Sequence, residues 1–133
     1  MRYLLDTNIC IYIAKRKPAG ALARLEQMRP GDVGMSIVTY LELVYGACKS
    51  QQVAANLARI EQLRGIVPVL PLDVGAARHY GEVRAELEKK GTPIGAYDLL
   101  IAAHARSLGL ILVTSNAREF SRVAGLRLEN WAA

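Results

Sequence analysis

The chain has 133 residues, 52% of them hydrophobic, and a formal net charge of +5. This length suits one compact domain spanning residues 1–133, and the composition excludes a disordered tail, a repeat array and, with only two cysteines, a disulfide-rich scaffold. No apolar run approaches the ~18 residues of a membrane span, while the positive charge favours a polyanion such as nucleic acid, or an acidic protein, as partner.

The first predicted element is a strand, Tyr3 to Leu5, with no leader-like segment ahead of it, so the expected compartment is the cytoplasm. Cys10 and Cys48 lie in apolar runs and read as small buried hydrophobes in a reducing environment. A second strand covers Val33 to Met35. Ser36 then reads as an N-cap, and Ile37, Val38, Leu41, Val44, Tyr45 and Cys48 recur at helical spacing to predict one apolar face. Gln51 to Arg64 is amphipathic, Val67 to Leu70 is a third strand, and the amphipathic stretch Val74 to Lys90 is closed by Gly91 and Pro93. Tyr97 to Leu108 is apolar nearly all round, which marks a buried helix, and Leu110 to Val113 is a fourth strand. Short apolar strands alternating with helices predict an α/β sandwich with a mostly parallel sheet, whose sites form at the carboxyl ends of the strands.

Most of the twelve acids are placed to be solvated. Glu82, Glu86 and Glu88 share a helix with Arg78, Arg84, Lys89 and Lys90, and Glu26 and Glu61 lie near arginines on amphipathic helices. Asp6, Glu42 and Asp98 differ. Asp6 ends the first apolar strand, Glu42 interrupts the apolar stretch from Val38 to Tyr45, and Asp98 opens the buried helix. Glu42 lies about 100° from the centre of the predicted stripe, at its edge. None has a Lys or Arg at helical contact spacing, and an ionised carboxylate in apolar surroundings costs several kcal/mol unless compensated. Taken singly, Asp6 and Asp98 also fit as helix caps, and Glu42 as a boundary residue reaching water. As a set they point to a shared cation, because like charges about 4 Å apart repel by roughly 4 kcal/mol at an effective dielectric near 20. Oxygen-only ligands favour Mg²⁺ or Mn²⁺ over zinc.

Near the last strand, Thr114, Ser115 and Asn116 bring hydroxyls and an amide to another carboxyl end. Asn116 reads either as a metal ligand or water-orienting group, or as the N-cap of the helix that follows. Thr7 and Asn8 divide in the same way between capping the first helix and steadying Asp6. His79 and His104 read as packing residues.

Four blocks in order carry a resemblance: Leu5-Asp6-Thr7-Asn8, Thr39 to Gly46 around Glu42, Gly95 to Ala105 around Asp98, and Leu112 to Asn116 with Arg118-Glu119-Phe120. With the closing Gly125 to Trp131, they closely resemble VapC toxins of the PIN-domain superfamily, the toxin half of VapBC toxin–antitoxin pairs. The resemblance implies a PIN-like three-layer sandwich with a four- or five-stranded parallel sheet. It implies a pocket in which Asp6, Glu42 and Asp98 bind Mg²⁺ or Mn²⁺. Asn116 stands where many PIN domains carry a fourth aspartate, and Glu119, one turn on, either compensates for the missing charge or, as the favoured reading, is a surface or capping charge.

The implied activity is endonucleolytic hydrolysis of structured RNA, tRNA in particular, leaving a 5′-phosphate and a 3′-hydroxyl. Asp6, Glu42, Asp98 and Asn116 are its catalytic candidates. Lys15-Arg16-Lys17, Arg118 and Arg122 are candidate phosphate contacts, and the few aromatics argue against a stacking platform. The implied partners are an identical subunit and a VapB-type antitoxin that masks the pocket, often with a basic side chain. Two rival enzyme classes fall short: a receiver domain wants paired acids after its first strand, and a haloacid-dehalogenase-like phosphatase wants an aspartate at position 8, where Asn8 stands. The non-enzymatic rival is a basic module that binds RNA or a partner, its acids purely structural.

Overall fold

The computed structural model describes residues 1–132. In chain order the elements are β1 (Tyr3–Leu5), α1 (Thr7–Lys15), α2 (Ala19–Glu26), β2 (Val33–Ser36), α3 (Ile37–Cys48) and α4 (Val53–Ile66). They continue with β3 (Val69–Leu70), α5 (Val74–Lys89), α6 (Ala96–Leu108), β4 (Ile111–Val113), α7 (Ala117–Phe120) and β5 (Leu128–Glu129). The strands form one sheet in the order β3-β2-β1-β4-β5, and every pair is parallel. β1 is therefore central, which explains why all three of its residues are buried and apolar.

Side chains alternate across the sheet and separate the core into two layers. Tyr3 and Leu5 face a cluster built from α1, α2 and α4, including Ile9, Ile13, Leu25, Ile60 and Trp131. Leu4 and Leu112 face the other way, onto Val83 and Leu87 of α5, Ile101 and Ala105 of α6, and Phe120. The expected three-layer sandwich forms, with helices on both faces of the parallel sheet. Among the described residues no helix is long and apolar enough to cross a membrane.

The register fixes where the chain leaves the sheet. Leu5 pairs with Met35 on one side and Val113 on the other, so Asp6, Ser36 and Thr114 follow at one level along one edge. The Asp6 amide donates to the Val113 carbonyl at 2.9 Å and the Thr114 amide to the Glu129 carbonyl at 2.9 Å. Ser36 caps α3 as expected, its hydroxyl accepting from the Val38 amide at 3.1 Å and lying 2.8 Å from His104 Nδ1. His104 is thus a core residue that ties α6 to the β2–α3 junction. Burial holds its imidazole below the usual pKa, in the neutral form.

Four details of the sequence reading change. The buried face of α3 is Val38, Thr39, Leu43 and Ala47, whereas Leu41 and Tyr45 are 43% and 65% exposed. Because nearly all of α3 is apolar, its periodicity fits more than one stripe, and packing against α1 and α4 selects the one carrying the small Ala47. Cys48 consequently points outward and is exposed, while Cys10 is buried as expected; both are free thiols. The third strand shrinks to Val69–Leu70, with Val67 still fully buried just before it. A fifth strand, Leu128–Glu129, joins the sheet beyond the four read from apolar runs; only two residues long, it has no periodicity to detect.

The closing segment belongs to the core. Trp131 is 2% exposed, packs edge-on against Tyr3 with ring centroids 5.2 Å apart, and donates its indole N–H to Glu129 at 3.0 Å. Trp131→Ala should destabilise the fold by about 3–5 kcal/mol, measured as a lowered urea midpoint at unchanged m-value.

Candidate active site

Four carboxylates gather beyond the carboxyl ends of β1 and β4. Asp6 is the N-cap of α1; its Oδ1 accepts from the Ile9 amide at 2.9 Å, and the Thr114 side chain also bonds its carboxyl. The residue is only 4% exposed. Burial raises its pKa and the neighbouring negative charge of Glu42 raises it further, while the bonds from Thr114 and Ile9 work against both.

Glu42 reaches the same region from α3. The Thr7 hydroxyl, at the start of α1, donates to Glu42 Oε1 at 2.6 Å. Asp98 lies in the first turn of α6, where the helix dipole favours an anion, and Gly95 rather than Asp98 is that helix's N-cap. Its carboxyl is pushed up to about 6, first by burial and then by the charges of Glu119, Glu42 and Asp6.

Glu119 is the fourth acid. Its Oε1 accepts from the Gly95 amide at 3.0 Å, and its Oε2 accepts from Asn116 Nδ2 at 2.9 Å. The Gly95 bond holds its pKa below the usual value, so it stays ionised beside Asp98. A Cβ on Gly95 would sit 3.7 Å from Asp98 Oδ2 and 3.9 Å from Glu119 Oε1, so both carboxyls border the same point.

Asp6, Glu42 and Asp98 are close enough for their charges to act on one another. The capping reading of Asp6 holds, since one oxygen caps α1, and the charge of Glu42 acts on the same group. Asn116 precedes α7, yet its side chain makes no capping bond and instead holds Glu119. Thr7 steadies Glu42 rather than Asp6. Glu119 fits the capping reading in that it accepts from the amide of Gly95, the N-cap residue of α6, and it also lies beside Asp98. Lys15, Arg16, Lys17, Arg118 and Arg122 are all exposed, and Arg122 donates to the Pro93 carbonyl at 3.0 Å.

The donor set suits a hard divalent cation. Every ligating atom on offer is oxygen, and none of the four acids has a Lys or Arg at ion-pair distance among the described residues. The set is not a preformed cage: among the described residues no three His, Cys, Asp or Glu side chains stand as a ready group for a metal ion. What exists is a partly buried cluster of negative charge with no ion pair, only Glu119 feeling a cation, Arg122, beside an edge where the Thr7 and Thr114 hydroxyls and the Asn116 amide add polar contacts.

The sequence profile of the PIN domain matches residues 3–126. A curated protein of Shigella flexneri, "tRNA(fMet)-specific endonuclease VapC", is 50% identical over 132 residues, covering 99% of each chain. "Ribonuclease VapC2" of Haemophilus influenzae is 48% identical over 98% of each chain. Among solved structures, DNA-bound VapBC from Salmonella typhimurium superposes with a TM-score of 0.93 at 45% identity, covering 98% of both chains. VapBC2 from Rickettsia felis bound to a promoter DNA fragment gives 0.92 at 36% identity over 98% of this chain and 99% of the other. The chain thus belongs to the PIN-domain family, within its VapC ribonuclease branch.

Proposed function

We propose that this protein is a metal-dependent endoribonuclease, the toxin of a VapBC-type pair, which hydrolyses phosphodiester bonds in structured RNA and in tRNA above all. The observation that carries this reading is the convergence of Asp6, Glu42, Asp98 and Glu119 without a basic partner at the carboxyl edge of a parallel sheet. The tRNA substrate is supported by the relatives of Shigella flexneri and Salmonella typhimurium, both named as tRNA(fMet)-specific endonucleases. A VapB-type antitoxin as partner is supported by the solved VapBC structures of similar chains. A homodimer within a toxin–antitoxin assembly, acting in the cytoplasm, completes the reading.

Asp6, Glu42 and Asp98 would hold Mg²⁺ or Mn²⁺, with Asn116 and Glu119 completing the polar edge. When bound, the ion supplies positive charge to the scissile phosphate and acidifies a water. The chain's own residues do the rest. Asp6, fixed by the Ile9 amide and Thr114, is a rigid anchor rather than a mobile ligand. Glu42 has Oε1 committed to Thr7, which leaves Oε2 to orient the attacking water and take its proton. Asn116 spends an amide N–H on Glu119 and keeps its carbonyl as an acceptor. Exposed Lys15 to Lys17, Arg118 and Arg122 bind flanking phosphates. His104, buried against Ser36, is in no position to activate a ribose 2′-hydroxyl, which agrees with hydrolysis to a 5′-phosphate and a 3′-hydroxyl.

Asp6→Asn and Asp98→Asn should each lower the tRNA cleavage rate by at least ~100-fold while circular dichroism stays unchanged, and chelation should silence the wild type until Mg²⁺ or Mn²⁺ is restored. Cleavage surviving in either folded variant would show the acids to be structural. Thr7→Val should cost roughly 10-fold in kcat and Thr7→Ser should restore it, as read in single-turnover assays.

The pH dependence of the metal-free protein follows from Asp98. Its carboxyl keeps a proton up to about pH 6 in the fold, against an ordinary value of 3.8. Between those values the folded chain binds more protons than the unfolded one, so stability falls as pH rises through this window and the loss is complete above it. In chelator at pH 7.5, Asp98→Asn should therefore unfold at a higher urea concentration than wild type. The gain should be on the order of 1 kcal/mol once solvent screening of this half-buried group is counted, and should vanish near pH 4.

A further inference from the structure

A cavity of about 250 Å³ lies between α1, α3 and α4, and Glu42 forms part of its wall. Ile11, Leu43 and Ile60 give it apolar sides, while Lys15 and Arg59 also border it. Neither cation has a carboxylate at ion-pair distance among the described residues. One side carries a short polar relay: Arg59 donates to Asn56 Oδ1 at 3.3 Å, and Asn56 Nδ2 donates to Ser50 Oγ at 2.9 Å. Asn56 thereby retains one amide N–H and one carbonyl lone pair, the donor–acceptor pair that reads a base edge.

Apolar walls, two uncompensated cations and a free amide fit one ligand chemistry, a flat heterocycle carrying phosphates. We infer that this cavity is a nucleobase subsite, which takes one unstacked base of the RNA beside the phosphodiester that the acids cut. Glu42, held by Thr7, belongs both to the acidic cluster and to the cavity wall, and so fixes the distance between base and cut. This inference rests on the ribonuclease reading; it adds a nucleotide preference that the acids alone cannot supply.

Gly46 offers a clean test. It borders the cavity from α3, and a Cβ built there meets nothing within 4 Å. Gly46→Leu places a good helix former in a helix, so it should fill the cavity without harming the fold. Cut sites are mapped by end sequencing on RNA hairpins with randomised loops, for wild type and variant, alongside kinetics on bulk tRNA. The expected results are a preference at one position flanking the wild-type cut that is lost in Gly46→Leu, and a kcat/KM at least tenfold lower, mainly through KM. Arg59→Ala should weaken tRNA binding without erasing the preference.

In parallel, the four nucleoside 5′-monophosphates are titrated without metal, following backbone amide resonances. Shifts at Gly46, Ala47 and Ile60 that disappear in Gly46→Leu support the subsite even if no RNA is cut, in which case the nuclease reading fails by itself. Wild-type cutting with unchanged preference and rate in Gly46→Leu overturns the subsite alone. So does a variant that loses only antitoxin binding, since the cavity would then be a peptide site.

Discussion

Mutual repulsion among carboxylates is the constraint on which the working end of this molecule depends. Asp6, Glu42, Asp98 and Glu119 come from four separate segments, and their charges act on one another. Each of three is restrained by hydrogen bonds: Asp6 by Ile9 and Thr114, Glu42 by Thr7, and Glu119 by Gly95 and Asn116. Asp98 accepts no such bond among the described residues, and it is the one pushed up to about 6. The bonds from Thr114 and Ile9 offset part of the rise at Asp6, those from Gly95 and Asn116 lower Glu119, and Asp98 has no such donor to offset its burial and the neighbouring charges.

The rest of the fold can be understood as what holds those segments in place. The parallel register sets Asp6 and Thr114 side by side, and the Asp6 amide is itself part of the sheet's hydrogen bonding to Val113. α3 enters from the next strand through a Ser36 cap that is also bonded to buried His104, so the helix bearing Glu42 and the helix bearing Asp98 share one anchor. Two apolar layers, one on each face of β1, stabilise that arrangement. Stability and function are therefore spatially divided: apolar contacts dominate the middle of the sheet, and uncompensated charge sits at one rim.

Much of this was legible in the chain. Apolar runs marked the three inner strands β1, β2 and β4, because a residue buried on both faces needs no alternation, and also the edge strand β3, while Asp6, Glu42 and Asp98 stood out because each interrupts an apolar setting. Four things were hidden. The buried stripe of α3 was ambiguous because an almost wholly apolar helix lets tertiary packing choose its face, and Cys48 went outward with that choice. β5 was too short to announce itself. Glu119 looked like any exposed helical acid, since its value comes from the Gly95 amide, 24 residues away in sequence. The partner of Thr7 was equally invisible, because its bond to Glu42 spans 35 residues. Local pattern reports burial; it does not report which distant polar groups meet.

An all-parallel sheet also has a second rim, where strands begin, and it carries none of the acids. Segments 27–32, 67–68 and 109–110 lead into β2, β3 and β4 there. Lengthening one of these connections changes how the chain arrives at a strand, not where it departs, so the positions of the four oxygen donors are insulated from such changes. The segments at the departing rim have no such latitude: one residue added between Leu5 and Asp6, or between Val113 and Thr114, would break the alignment of capping and charge together. Relatives that differ in length should differ at the arriving rim, which is also where a tag or fused domain would disturb the chemistry least.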